Sequence, residues 1–318
     1  MQIFWMLIFL IIGFILLVKG ADIFVDGACC LSEKLKIPAY IVGLTVVAFG
    51  TSLPEAAVSI TASLSGSNEI AIGNVIGSNT FNTLVVLGAS ALFAPVAVKK
   101  NVLRRDLPFC LCITALLPAL MLTLNSGTPS LTRTDGIILL AAFIIFMTGS
   151  VLSGKKDAVT LQEEIGNASA PMWKCILLII LGIAGVIAGG QLTVNGAVRM
   201  AHMFGMSETV IGLTVVAIGT SLPELVTSMV AAKKHQNDIA VGNVIGSNIF
   251  NILFILGASS TVGNIVPNDK FVIFDAFILI GIMLAAYILS LALKKINRPA
   301  GIAMIFMYAA YTAFLLLR

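Results

Sequence analysis

The sequence has little charge and almost no long polar stretches. Only 11% of its 318 residues are charged, 58% are hydrophobic, and the mean hydropathy is +1.05. A soluble domain carries about a quarter charged residues. The recurring apolar runs therefore predict a polytopic helical membrane protein. We expect neither an enzyme nor a bound cofactor. We also expect no nucleic-acid partner, because an excess of basic residues in the loops on one side of the membrane accounts for the net charge of +4.

Metal-ligand spacings of cysteine and histidine are missing as well. The two histidines lie near predicted loops, and the five cysteines lie mostly in or beside apolar segments. Cys110 and Cys112 are close in sequence but fall on a predicted membrane span. We interpret the cysteines as small core residues rather than as metal ligands.

An internal repeat organises the chain. Ile41–Asn82 aligns with Val210–Asn251 without a gap at an offset of 169, and 26 of the 42 aligned positions are identical. Two runs dominate, GLTVVA-x-GTSLPE and GNVIGSN-x-FN. Shared hydrophobicity would not keep Gly, Asn, Ser, Pro and Glu in register. We therefore predict two homologous halves, residues 1–152 and 172–318, joined by a linker at 153–171.

Apolar length and periodicity predict ten transmembrane helices, five in each half. An odd number of spans turns the second half upside down relative to the first. This is the inverted-repeat architecture of secondary transporters, whose substrate sites lie near the midplane between the repeats. The predicted spans are about 3–28, 39–65, 70–93, 105–124, 134–152, 172–200, 208–232, 239–262, 271–293 and 299–317.

Basic residues in the short loops predict the orientation. Fourteen Lys and Arg residues lie on one side of the predicted spans and four on the other. Because the basic side faces the cytoplasm, both termini should lie outside and the linker inside. We expect a multi-pass protein of the plasma membrane, which is the inner membrane in a Gram-negative cell.

The GTSLPE run combines a helix breaker with oxygen donors. Pro54 has no N–H to donate and its ring clashes with the preceding turn, so a continuous helix is interrupted there. Freed carbonyl groups at membrane depth are tolerated only where protein or a water-lined cavity satisfies them. Carbonyl, hydroxyl and carboxylate oxygens of one short segment should therefore gather around a cation. The candidate donors are Ala48, Gly50, Thr51, Ser52 and Glu55.

The same residues also fit a helix cap. Ser52-x-x-Glu55 has the spacing of a capping box, in which the two side chains bond the first N–H groups of a helix. A charge at the bilayer centre, however, costs about 2.5–3.5 kcal/mol. We therefore favour a cation site at Glu55 and keep the cap as the alternative.

The GNVIGSNTFN run carries a polar stripe. Gly73 and Gly77 share a helix face and predict close backbone approach. Asn and Ser side chains recur every four residues beside them. For Asn74 and Asn79, interhelical hydrogen bonding and ion ligation both remain open, whereas Ser78 and Asn82 are favoured as site residues. The second half repeats the stripe with Asn243, Ser247, Asn248 and Asn251.

The predicted inverted symmetry brings the two acids together. Glu55 and Glu224 would meet near the midplane, with hydroxyl and carbonyl oxygens around them. Two carboxylates and further oxygens suit a hard cation with about 6–8 oxygen ligands, which is Ca²⁺ rather than Zn²⁺ or Cu²⁺. Several Na⁺ ions could neutralise the same pair. Competition of two ions for one charge pair is a physical basis for exchange.

These paired motifs resemble the α-repeats of the sodium/calcium exchanger family, within the calcium/cation antiporter superfamily. The resemblance covers essentially the whole chain and implies Na⁺/Ca²⁺ antiport by alternating access, with the first and sixth spans sliding against the other helices. It also implies a set of metal ligands. These are Glu55, Glu224, Thr51 and Thr220 for Ca²⁺, Ala48, Ser52 and Ser78 for one Na⁺ site, Ala217, Ser221 and Ser247 for its inverted partner, and Asn82 and Asn251 lining the middle.

Departures from the family pattern limit what the resemblance implies. The long cytoplasmic Ca²⁺-sensing region of animal exchangers is absent. Potassium-dependent relatives tend to have Asp at the position of Asn251, and proton-coupled exchangers differ around Gly77 and Ser78. A calcium/proton or potassium-dependent exchanger remains the alternative, and a cation channel is a further one. We expect a monomer with Ca²⁺ and Na⁺ as substrates and the lipid bilayer as its surroundings.

Two acids outside the motifs are ambiguous. Asp22 and Asp26 lie one helical turn apart near the cytoplasmic end of the first predicted span. They could line an ion entrance. The interpretation we favour is an interfacial cluster in which Lys19 pairs with Asp22 at i, i+3.

Overall fold

The chain forms a bundle of long apolar helices. The computed structural model describes residues 2–123, 129–160, 170–203, 217–266 and 271–317. Within these ranges, seven helices are long and apolar enough to cross a membrane, and an eighth span results if one bent pair counts as one. The predicted all-α, multi-pass architecture is thus confirmed. The number of ten spans, the inverted halves and the domain limits stay predictions, and residues 161–169 of the linker and 208–216 of the seventh span lie outside the described residues.

The helix bounds follow the apolar runs of the sequence. The described α-helices are α1 (Gln2–Leu35), α2 (Ala39–Val42), α3 (Ala48–Thr51), α4 (Leu53–Leu64), α5 (Asn68–Phe81), α6 (Leu87–Phe93), α7 (Leu107–Thr123), α8 (Arg133–Thr160), α9 (Met172–Met203), α10 (Ala217–Thr220), α11 (Leu222–Lys233), α12 (Asn237–Ile249), α13 (Leu256–Val262), α14 (Phe271–Leu293) and α15 (Arg298–Leu317). Wider π-helical turns join or extend several of them, at Gly43–Val47, Asn82–Val86, Val102–Asp106 and Phe250–Ile255.

A two-stranded ribbon links two of the loops. β1 (Val96–Ala97) pairs antiparallel with β2 (Lys295–Ile296). The loop after α6 is thereby fastened to the loop after α14. The apolar periodicity of the sequence did not predict this ribbon.

The polar stripes lie on the most buried helices. In Asn237–Val262, 94% of the apolar stretch is buried inside the bundle, and in Asn68–Phe93 the share is 72%. The corresponding share in Arg133–Gly154 is only 17%. Peripheral helices thus present apolar side chains to lipid, while the GNVIGSN runs occupy the centre.

Close backbone approach is seen for the second polar run. A side chain at Gly242 would collide with the Tyr40 carbonyl, and one at Gly246 would collide with the Leu44 carbonyl. α12 therefore lies directly on the chain that enters the first GTSLPE motif. For Gly73 and Gly77 the equivalent partners, near residues 209–213, lie outside the described residues, and the prediction stays open there.

Two long helices form an intimate pair. α1 runs along α9, and a Cβ added to Gly20 would come within 2.6 Å of the Gly185 backbone. A disulfide between Cys30 and Cys175 joins the same two helices. The prediction that all five cysteines are core residues was therefore wrong for this pair. The bond connects residues 145 positions apart, so no local spacing could indicate it.

A salt bridge holds α1 against the end of α11. Lys234 Nζ lies 2.7 Å from Asp22 Oδ1 and 2.6 Å from Asp26 Oδ1. Burial lowers the pKa of Lys234, but its hydrogen bonds to the two aspartates outweigh that effect and raise the pKa above its ordinary value. The expected pairing of Asp22 with Lys19 was wrong, because a lysine from a distant helix reaches both carboxylates.

Candidate ion-binding site

Both GTSLPE motifs interrupt a helix. Ala39–Thr51 and Leu53–Leu64 meet at an angle of 49°. The residue at the break, Ser52, has φ −86° and ψ 7°, and Ser221 has φ −90° and ψ 4° at the second break. The predicted interruption at Pro54 is confirmed, and it follows from the missing proline N–H.

The two motifs meet at their acids. Glu55 and Glu224 are both fully buried. Ser52 Oγ donates a hydrogen bond of 2.7 Å to Glu224 Oε1, and Ser221 Oγ donates one of 3.0 Å to Glu55 Oε1. Each carboxylate is thus held by the serine of the other repeat, and the two acids share one site.

The capping alternative does not describe these serines. Neither Ser52 nor Ser221 makes a side-chain hydrogen bond to the first N–H groups of the helix that follows. Their hydroxyl groups point to the opposite acid instead. Tertiary contact has therefore overridden a local motif that the spacing S-x-x-E favours.

Serines of the polar stripes lie beside these serine–acid contacts. Ser78 Oγ lies 3.1 Å from Ser221 Oγ, and Ser247 Oγ lies 3.5 Å from Glu224 Oε1. One helical turn further along the same faces come Asn82 and Asn251, which are both fully buried. Ser78 and Ser247 thus lie at the serine–acid contacts, and Asn82 and Asn251 follow them along the two buried helices.

The two asparagines also lie in π-helical turns, which no pattern in the sequence predicted. Such a turn begins at Asn82, and another, Phe250–Ile255, contains Asn251. π-turns inside α-helices are rare and occur frequently at functional sites. Their coincidence with the stripe in both halves supports a functional role for these positions.

Several buried oxygen atoms in this region have no hydrogen-bond donor among the described residues. They are Glu55 Oε2, Glu224 Oε2, Asn82 Oδ1 and Asn251 Oδ1. Buried polar atoms are normally hydrogen-bonded, and buried charges are paired or bind a metal ion. Carboxylate and amide oxygens are ligands suited to hard cations such as Ca²⁺. The donor set therefore fits a cation better than an anion or an apolar ligand.

The remaining predicted ligands border the breaks. The Ala48 carbonyl accepts the Ser52 N–H at 3.1 Å and also lies 3.4 Å from the Thr51 hydroxyl. Thr51 is fully buried and Thr220 nearly so. Ala217 begins α10, but its side chain lies outside the described residues.

Asn74 and Asn243, the first residues of the two polar stripes, hydrogen-bond to the helices that follow the breaks. Asn74 Nδ2 donates to Ser59 Oγ at 2.9 Å, and Asn243 Nδ2 donates to Ser228 Oγ at 2.9 Å. In the second repeat, Asn243 Oδ1 also lies 3.1 Å from Thr51 Oγ1 of the first. Of the two roles left open for Asn74, the structure shows the hydrogen-bonding one.

The serine partners of these asparagines were not predicted. Ser59 and Ser228 lie one turn after the acids and are identical in the two repeats, although the positions directly around them differ. That isolated identity was the signal that could have found them.

The fold and the site together define the class of membrane protein to which the chain belongs. The chain is a helical, multi-pass membrane protein with two opposed acids at a buried centre where two broken helices meet. Proteins with broken helices around a central polar site are characteristically transporters.

The comparison with known sequences identifies the family. Residues 5–152 and 174–317 match the family described as sodium/calcium exchanger protein, and the chain belongs to this family. It is 40% identical over 272 residues to the inner membrane protein YrbG of Escherichia coli, with 81% of each chain covered. It is 32% identical over 339 residues to the sodium/calcium exchanger MaX1 of Methanosarcina acetivorans, with 96% of this chain and 97% of the relative covered.

A solved structure has the same fold. The sodium-calcium exchanger NCX_Mj, soaked with 2.5 mM Na⁺ and 0.1 mM Ca²⁺, superposes with a TM-score of 0.83 at 33% sequence identity. The alignment covers 97% of this chain and 98% of that one. The resemblance stated from the motifs is thereby confirmed at the level of family and fold, and the family is one of exchangers rather than enzymes.

Proposed function

We propose that this protein is an antiporter that exchanges Na⁺ for Ca²⁺ across the membrane. The observation that carries the proposal is the pair of fully buried glutamates, each with one oxygen held by a serine of the opposite repeat and one oxygen without a donor among the described residues. Membership of the exchanger family and the likeness to MaX1 and NCX_Mj support it.

The proposed Ca²⁺ ligands are Glu55 and Glu224 with oxygens of Thr51 and Thr220. A single Ca²⁺ neutralises both carboxylates, whereas two charges buried without a partner are costly. Na⁺ would replace Ca²⁺ by occupying flanking sites. The proposed flanking donors are Ala48, Ser52 and Ser78 in one repeat and Ala217, Ser221 and Ser247 in the other, with Asn82 and Asn251 between them.

Exchange follows if the empty site is the unfavourable state. The serine hydroxyl groups that bond the acids, at 2.7 and 3.0 Å, compensate only part of the buried negative charge. A conformational change that carries the site across the membrane would then proceed readily only with Ca²⁺ or Na⁺ bound. We infer alternating access of ten spans in two inverted halves, with both termini outside the cell.

Uptake of ⁴⁵Ca²⁺ into proteoliposomes tests the proposal. Vesicles loaded with Na⁺ should accumulate Ca²⁺ when diluted into Na⁺-free buffer, and vesicles loaded with K⁺ or acid should not. Glu55→Gln should abolish uptake, whereas Glu33→Gln, a change at the far end of α1, should leave it intact. Uptake that follows a proton gradient alone would favour the calcium/proton alternative, and uptake without any opposing gradient would favour a channel.

The orientation has its own test. A reporter that is active only outside the cytoplasm should be active when fused after Arg318 and inactive when inserted in the linker at 161–169. The opposite pattern would show that the proposed orientation is reversed.

A further inference from the structure

The two repeats are identical at the central asparagines but not at the residue that follows them. Asn79 and Asn82 correspond to Asn248 and Asn251 at the offset of 169. The next position is Thr83 in the first repeat and Ile252 in the second. All of these side chains are buried. A hydroxyl group is thus present in one half and absent from the other beside otherwise matched amides.

In the second half, the asparagine at the centre is clamped. Asn251 Nδ2 donates to Asn79 Oδ1 at 2.9 Å. Asn79 Nδ2 in turn donates to the Asn248 carbonyl at 3.2 Å. Because Ile252 has no hydroxyl, nothing on that residue competes for this carbonyl. Both ends of the Asn79 amide are used, so the orientation of Asn251 is determined.

In the first half, Thr83 breaks the equivalent chain of bonds. Thr83 Oγ1 donates to the Asn79 carbonyl at 2.8 Å, and the Met283 sulfur at 3.1 Å is a weaker acceptor. Its hydrogen is therefore committed, and its oxygen accepts from Asn248 Nδ2 at 3.0 Å. Because Asn248 Nδ2 faces Thr83, Asn248 Oδ1 points away from it. Neither Asn248 Oδ1 nor either polar atom of the Asn82 side chain has a hydrogen-bond partner among the described residues.

We propose that Thr83 is a positioning residue that makes the two central asparagines unequal, leaving Asn82 free to turn while Asn251 is held. The proposal rests on the proposed function, because it assigns Asn82 and Asn251 to the ion path. An amide oxygen that is already held in place loses less freedom on binding and binds more tightly. A free amide adapts to ions that differ in size and coordination. Thr83 would thus lower the Ca²⁺ affinity at Asn82 but allow this side chain to bind both Ca²⁺ and Na⁺.

Substitutions on both sides give opposite predictions. Thr83→Val is nearly isosteric and removes the hydroxyl, so Asn248 should bond the Asn79 carbonyl and clamp Asn82. The half-saturating Ca²⁺ concentration should then fall about fivefold, the effect of roughly one hydrogen bond. Ile252→Thr should release Asn251 and raise that concentration by a similar factor. Thr83→Ser keeps the hydroxyl and should behave like the natural protein.

The measurement is the thermal stability of each purified variant in detergent, titrated with CaCl₂ in Na⁺-free buffer and again with NaCl present. Ile252→Val is the matched control, because it shortens the side chain without adding a hydroxyl. Tighter Ca²⁺ binding in Thr83→Val and weaker binding in Ile252→Thr, but not in Ile252→Val, supports the proposal. A packing defect alone would not tighten binding.

Two results would overturn the proposal in distinguishable ways. If the natural protein responds to Ca²⁺ but Thr83→Val and Ile252→Thr shift it in the same direction or not at all, the asparagine proposal is wrong and the exchanger proposal stands. If the natural protein shows no Ca²⁺ response, both are wrong. If Thr83→Val does not fold, Ile252→Thr measured against Ile252→Val decides the question alone.

Discussion

Replacing Glu224 by glutamine should separate ion binding from folding. The carboxylate is fully buried, its Oε1 accepts the Ser52 hydroxyl at 2.7 Å, and its Oε2 has no donor among the described residues. Glutamine keeps the shape and an oxygen for Ser52 but removes the charge. We therefore expect the ion-free variant to be at least as stable as the natural protein, since one buried charge has been relieved.

The size of the Ca²⁺ effect follows from linkage. A ligand present at about 100 times its Kd stabilises the folded state by about 2.7 kcal/mol. For a chain of 318 residues that energy raises Tm by roughly 4 °C. With one carboxylate gone, a single Ca²⁺ loses half of the negative charge that holds it. The variant should therefore lose most of the Ca²⁺-dependent rise in Tm.

Thermal unfolding in detergent, with and without CaCl₂, measures both quantities. Glu33→Gln is the control, because it removes a charge at the end of α1, away from the site. If Glu224→Gln retained the full Ca²⁺-dependent rise in Tm, the carboxylate would not be a ligand. A variant that melted far below the natural protein without ions would instead assign Glu224 a structural role.

Three further predictions concern the contacts of α1. Gly20→Ala should lower Tm and Ca²⁺ uptake, because overpacking typically costs about 1–3 kcal/mol, whereas Gly281→Ala, with open space around it, should not; equal effects would contradict the close helix contact. If a protease site is introduced at 161–169 and cut, the halves should stay together on denaturing gels and separate only with reductant, because Cys30 is bonded to Cys175; separation without reductant would refute the disulfide. Lys234→Met should lower the stability by no more than about 1 kcal/mol in a salt-dependent way, and a loss that persists in high salt would mean that packing rather than charge is involved.

The sequence by itself determined the surroundings of the protein and its family. Apolar composition requires a membrane, because so few charged residues cannot cover a water-exposed surface. The break at Pro54 was predictable, since the missing N–H and the ring clash are properties of one residue and act in any surroundings. The repeated motif favoured a cation site at the acids over a helix cap, because a costly buried carboxylate occurs twice at matched positions.

Tertiary structure decided which side chains form hydrogen bonds and disulfides with each other. Ser52 could have capped its own helix, but the acid of the other repeat, 172 positions away, receives its hydroxyl. Cys30 found its partner 145 positions away. Such contacts depend on how distant segments pack, and no spacing along the chain records that.

The inequality of the halves also required the structure. Thr83 and Ile252 are the first pair beyond the aligned block, and in the sequence they look like any other difference between the two halves. Only the packed bundle shows that the Thr83 hydroxyl donates to the Asn79 carbonyl and accepts a hydrogen bond from the Asn248 amide. A hydrogen bond has a direction and each hydroxyl donates only once, so a single residue can decide the orientation of the amides around it.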